Sequence, residues 1–134
     1  MEGQYTRLYA DAEGVSHFEE LAIELLPGFA APPAEPAHVA AFVPTAQSAW
    51  IGGTAAWKGD TPHPVPRRLL FVYLKGTAEI VAGDGDARRF GPGDVLLAED
   101  TWGSGHSSRV IEGEPCLGLV FTVAETGPDP NRIG

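Results

Sequence analysis

Two isolated histidines, two adjacent arginines and one cysteine are the side chains of this sequence whose placement suggests chemistry. His63 opens the run His-Pro-Val-Pro-Arg-Arg, which ends on Arg67 and Arg68, and His106 closes a Gly-Ser-Gly-His run that starts at Gly103. Imidazoles titrate near neutrality, so two of them facing one cavity can take up and return a proton, or hold a metal ion through their ring nitrogens. Adjacent arginines on an extended chain point to opposite faces. An inward guanidinium grips a carboxylate or enolate through paired N–H groups. The alternative is an ion pair with one of the 18 carboxylates of the chain. Cys116 lies in the apolar run 116–121 and reads as a buried, unreactive thiol. With no second cysteine there is neither an internal disulfide nor a CxxC motif.

Strands must position these groups. Residues 69–74 are almost unbroken apolar and read as a buried strand that Gly76 ends in a turn. Pro62, Pro64 and Pro66 hold the approach to it extended. Earlier, residues 5–9 alternate, and Asp11 to Gly14 carry turn chemistry. Residues 16–25 fit either a helix face or a strand, and the β-like surroundings favour the strand. Residues 27–38, with Pro27, Pro32, Pro33 and Pro36, form an extended loop. Short strands follow at 39–43 and 48–51, with a bend at Gly52 and Gly53, a continuation over 54–57 and a turn at 58–60. Beyond Gly76, residues 77–82 are expected to fold back as a hairpin partner of 69–74. Residues 83–86 form a turn, 87–90 a strand, and Gly91-Pro-Gly-Asp94 a type II turn. Strands at 95–98, 106–111 and 116–123 follow, separated by a glycine-rich loop over 99–105. About ten short strands imply an all-β sandwich or barrel. One domain spans 1–134, with its core over 39–124 and a loose tail over 125–134.

Composition narrows the partners. A net charge of −9 argues against nucleic acid and anionic membranes, which need clustered Lys and Arg. No signal-peptide pattern and no apolar run of about 18 residues is present, so a cytoplasmic protein is expected.

The central strand ending at Gly76, the run Phe-Gly-Pro-Gly-Asp-Val-Leu-Leu over 90–97 and the histidine that follows resemble the cupin superfamily. Residues 57–68 and the Asp-Thr-Trp-Gly-Ser-Gly-His run over 100–106 are similar to a group of small single-domain cupins. The resemblance spans roughly residues 50–123 and implies a jelly-roll β-barrel. Metal-binding cupins carry two histidines and a glutamate in a first motif and one histidine in a second. Here His63 and His106 match two of these positions, while Val65 and Leu69 stand where the pattern has histidine and glutamate. The resemblance therefore implies a divalent metal (iron, manganese, zinc or nickel) on His63 and His106, or the same two histidines working without metal. Its strand parity also turns Arg67, Leu69, Phe71 and Tyr73 inward and leaves Arg68 on the surface or at an interface. Trp50, Trp57 and Trp102 are candidates for an aromatic mouth or for packing.

Three functions follow as expectations. The first is an enzyme of the lyase, isomerase or cyclase type acting on a small organic molecule, with His63, His106 and Arg67 as its catalytic residues. The second is a non-catalytic binding barrel, and the third a metal-dependent oxygenase with an atypical ligand set. A homodimer is expected because Leu70, Val72 and Leu74 form an apolar outer face, with the N-terminal strand or the proline loop crossing to the partner.

Overall fold

The computed structural model describes residues 1–29 and 31–124. Among them the chain is all-β, with twelve strands and no helix. The strands are β1 (Glu2–Ala10), β2 (Ser16–Glu24), β3 (Leu26–Gly28), β4 (Ala37–Val39), β5 (Thr45–Gly53), β6 (Lys58–His63), β7 (Leu69–Lys75), β8 (Ala78–Val81), β9 (Ala87–Phe90), β10 (Val95–Ala98), β11 (His106–Val110) and β12 (Cys116–Val123). A large sheet has the order β2-β1-β10-β7-β12-β5, a smaller one the order β6-β11-β8-β9, and β3 and β4 pair alone. Every pair is antiparallel except β1 with β10, which runs parallel. The expected tail over 125–134 lies outside the described residues.

Alternation explains which way each strand faces. Leu8, Tyr73 and Leu96 of the large sheet meet Ile80, Ala82 and Phe90 from the smaller sheet's side in one buried cluster. Burying each of these large side chains contributes about 1.5–3 kcal/mol. The opposite face of the large sheet carries a second cluster of Tyr5, Leu97 and Val123, with Leu21, Val43, Leu70 and Val95 packed on it. Leu70 is thus covered within its own chain, whereas Leu74 is 43% exposed.

Three expectations are corrected. Residues 77–82 do not pair back on β7; β8 joins β9 and β11 in the other sheet. Gly76, at φ 71°, turns the chain across, and a β-carbon there would stand 2.5 Å from the Pro115 carbonyl oxygen. Only glycine fits that corner. Residues 58–60 are not a turn but the start of β6, an edge strand, where Pro62 needs no ladder N–H. Most of 39–43 lies outside any strand, while the proline-rich segment contributes the short pair β3 and β4. The N-terminal strand is paired on both sides within its own chain, by β2 and β10. The turn at 91–94 forms as expected, closed by Asp94 N–H donating to Gly91 O at 3.0 Å.

Two turns are clipped together by one imidazole. His17 Nε2 lies 2.7 Å from Asp11 Oδ2, and its Nδ1 lies 2.9 Å from Asp84 Oδ2. Hydrogen bonding to Asp11, then to Asp84, holds the His17 pKa above its ordinary 6.5, while both aspartates are held below theirs. A raised imidazole pKa stabilises the fold fully below 6.5, and that contribution fades as pH rises through the folded value. The melting temperature of His17→Gln should therefore fall further below wild type at about pH 5.5 than at about pH 8.5. The gap should be small, because the three side chains are partly solvated. Equal gaps at the two pH values would show that the clip does not titrate.

Candidate functional site

His63 ends β6 and His106 begins β11, and the two residues sit directly opposite one another in the antiparallel pair. Their ring centroids are 5.0 Å apart at an interplanar angle of 48°. The loop before His106 can approach this closely because Gly105, at φ 72°, has no side chain. A β-carbon there would fall 2.1 Å from the carbonyl carbon of His63. Ser16, fully buried, fastens the same loop by donating its hydroxyl to Gly105 O at 2.9 Å and accepting from Gly83 N–H at 2.7 Å.

Each imidazole has its Nδ1 engaged. His63 Nδ1 lies 3.0 Å from the Thr61 carbonyl oxygen, which only accepts, so the proton is on that nitrogen. His106 Nδ1 lies 2.5 Å from Asp100 Oδ2 and likewise donates. In the neutral rings both Nε2 atoms are then lone-pair acceptors. Asp100 is completely buried, and its Oδ1 has no hydrogen-bond partner among the described residues. Its backbone carbonyl accepts from Val65 N–H at 3.2 Å, which ties the proline-spaced segment to the same loop. A buried carboxylate behind an imidazole fixes tautomer and ring orientation, and supplies a counter-charge when the ring takes a proton.

Both histidines open onto a cavity of about 320 Å³. Its walls are largely apolar, with Trp57, Leu69, Phe71, Tyr73 and Ile80 among the lining side chains. Tyr73 stacks between Phe71 and Phe90, at centroid distances of 6.5 and 5.4 Å. Burial pushes its phenol well above the ordinary 10.0, so it stays a neutral O–H. Desolvation likewise raises the Cys116 thiol, which lines the cavity in its unreactive form.

Of the residues expected at the site, His63, His106, Trp57, Leu69, Phe71 and Tyr73 are brought together. Arg67 and Trp102 are not. Residues 66 and 67 form a bend, so strand parity does not reach back beyond Leu69, and Arg67 points to solvent. Arg68, expected on the surface or at an interface, is 8% exposed within its own chain and donates from Nε to Glu99 Oε2 at 2.5 Å. Trp102 is half exposed over the backbone of Gly14, away from the cavity. Asp100 was not among the expected site residues. In sequence it is marked only as an acidic residue of the glycine-rich loop over 99–105, two residues beyond β10 and six before the histidine.

A metal fits this donor set poorly. Val65 and Leu69 both line the cavity beside the histidines and offer no donor atoms. Among the described residues no three His, Cys, Asp or Glu side chains converge to hold an ion. A first-row metal generally needs at least three protein ligands.

No family model matches this chain, and no curated protein matches it in sequence. Among the described residues no helix is long and apolar enough to cross a membrane.

Two substitutions test the geometry. Leu69→Glu would add a carboxylate to the two imidazoles, a set that suits divalent iron, manganese or zinc. The variant should melt below wild type in chelator and gain far more than wild type from added divalent metal. Equal metal responses would place Leu69 elsewhere. Gly105→Ala should cost about 3 kcal/mol in urea unfolding, since it forces a β-carbon into the His63 backbone. A cost below about 1 kcal/mol would mean that the close approach is not required.

Proposed function

We propose that this chain is a cupin-type jelly-roll barrel that binds a small, uncharged organic molecule in its cavity and transfers a proton on it, as a lyase, isomerase or cyclase does. The observation that carries this reading is the line Asp100–His106–His63 at one end of an apolar cavity. His106 Nε2, held in position by Asp100, takes the proton as the base and returns the same proton to the molecule at a second position, while His63 Nε2 at the more exposed mouth accepts a hydrogen bond from the ligand. The cupin part rests on Val65 and Leu69 lining the cavity with both histidines, as the motif register requires. With Arg67 in solvent, no arginine or lysine among the described residues lines the cavity, which favours a neutral ligand over a carboxylate. The apolar walls equally suit a barrel that binds without turnover. Oxygen activation has no support, because the donor set offers a redox metal too few ligands.

Native mass spectrometry of the purified protein should find a small organic molecule bound. Incubating that molecule with protein in D₂O should place deuterium in it or convert it. Asp100→Asn and His106→Asn should each slow the exchange at least about 100-fold while leaving the fold intact. A bound molecule recovered without deuterium and without conversion would leave the binding barrel as the function.

A further inference from the structure

Among the described residues the two main sheets have four edges, and three are protected in the usual way. β2 carries Glu19, Glu20 and Glu24, β6 carries Lys58, Asp60 and Pro62, and β9 carries Arg88 and Arg89. The fourth edge, β5, is nine residues long and reads Thr-Ala-Gln-Ser-Ala-Trp-Ile-Gly-Gly. It has no charge and no proline in a chain of net charge −9. It is exposed along almost its whole length, with Trp50 67% and Ile51 47% exposed, although β12 pairs with it on one side. Strand alternation puts Trp50 on the same outer face as the exposed Leu74 and Leu117. Just before β5, Phe42 is fully exposed.

We propose that β5 pairs with β5 of a second copy of this chain, antiparallel about a two-fold axis, so that the two large sheets become one. A neutral strand is suited to its own copy, because self-pairing sets no like charges opposite one another. A charged peptide, in contrast, would find nothing on β5 to select it. Full overlap puts Ala49 on the axis and Thr45 opposite the partner's Gly53. In this register the chain preceding the partner's β5 runs towards the 54–57 turn, so the partner's Phe42 approaches Trp57. Ile51, Gly52 and Gly53 line the cavity, and Trp57 stands at it. The second copy thereby closes the flank of the cavity that β5 leaves open.

Sedimentation should find a dimer at about 10 µM, the concentration range of specific interfaces. Ala49→Lys places two ammonium groups face to face at the axis and should weaken the dimer at least about 100-fold, with circular dichroism unchanged. Leu74→Lys should leave the dimer intact, since it lies on the sheet face rather than the edge. Ala49→Cys should give a disulfide-linked dimer on oxidation, because opposed residues on an antiparallel axis lie within disulfide reach. This variant also serves if Ala49→Lys fails to fold. A monomeric wild type would overturn the proposal, as would a dimer that Leu74→Lys breaks and Ala49→Lys spares, or an Ala49→Cys protein that does not cross-link. None of these readings depends on turnover, so they stand apart from the test of proton transfer.

Discussion

Glu99 clamps separate strands of the large sheet together on one face. On the outer face its carboxylate takes Arg7 Nε and Arg68 Nε, each at 2.5 Å, and all three side chains are largely buried. Arg68 also donates to the carbonyl of Ala124, and Arg7 reaches Glu19 at 3.5 Å. Two guanidinium groups on one carboxylate satisfy most of its lone pairs, which a half-buried charge requires. Removing the shared partner would leave two cations poorly solvated, a loss of about 3–5 kcal/mol. The clamp matters to the cavity because successive residues of an extended chain point opposite ways. With Glu99 held outside, Asp100 turns inward to His106.

Below that clamp the site is assembled from loops fastened by backbone and hydroxyl contacts. Ser16 bonds to Gly83 and Gly105, the Ser104 N–H donates to Gly14 O at 2.9 Å, and Val65 N–H reaches Asp100 O. His106 is thus located by groups from four separate stretches of chain. Catalytic groups on loops need such fastening, since a displacement of about 1 Å can cost 100-fold in rate.

Much of this was legible in the sequence where one face of a strand is buried. The alternation of 5–9 and the apolar runs at 69–74, 95–98 and 116–123 each mark a strand of the large sheet. The two histidines share a cavity as their motifs suggest. What escaped depends on contacts distant in sequence. Nothing local distinguishes a tight turn at Gly76 from a crossing between sheets; that choice rests on Pro115 packing beside it. Nor does the Arg67-Arg68 pair reveal which side chain is buried, because a bend intervenes and the deciding partner, Glu99, lies 31 residues away. Asp100 sits in a stretch whose composition reads only as polar loop, and its role appears once His106 is seen against it. Lys58 and Gly59 carry turn composition, yet the ladder with β11 extends them.

The parallel pairing of β1 with β10, in which Thr6 meets Leu96, also bears on how the chain is made. About 90 residues separate the partners, and a ribosome adding roughly 5–20 residues per second needs about 5–20 s to supply them. A hairpin of β1 and β2 closes within about 1–10 µs. For most of its synthesis the nascent protein therefore carries a two-stranded ribbon whose Leu8 and Phe18 on one side, and Tyr5 and Leu21 on the other, have nothing to pack against. Its edge is a template for any other extended chain nearby. The glutamates at positions 19, 20 and 24 guard the β2 edge throughout, while the β1 edge stays open until β10 is made.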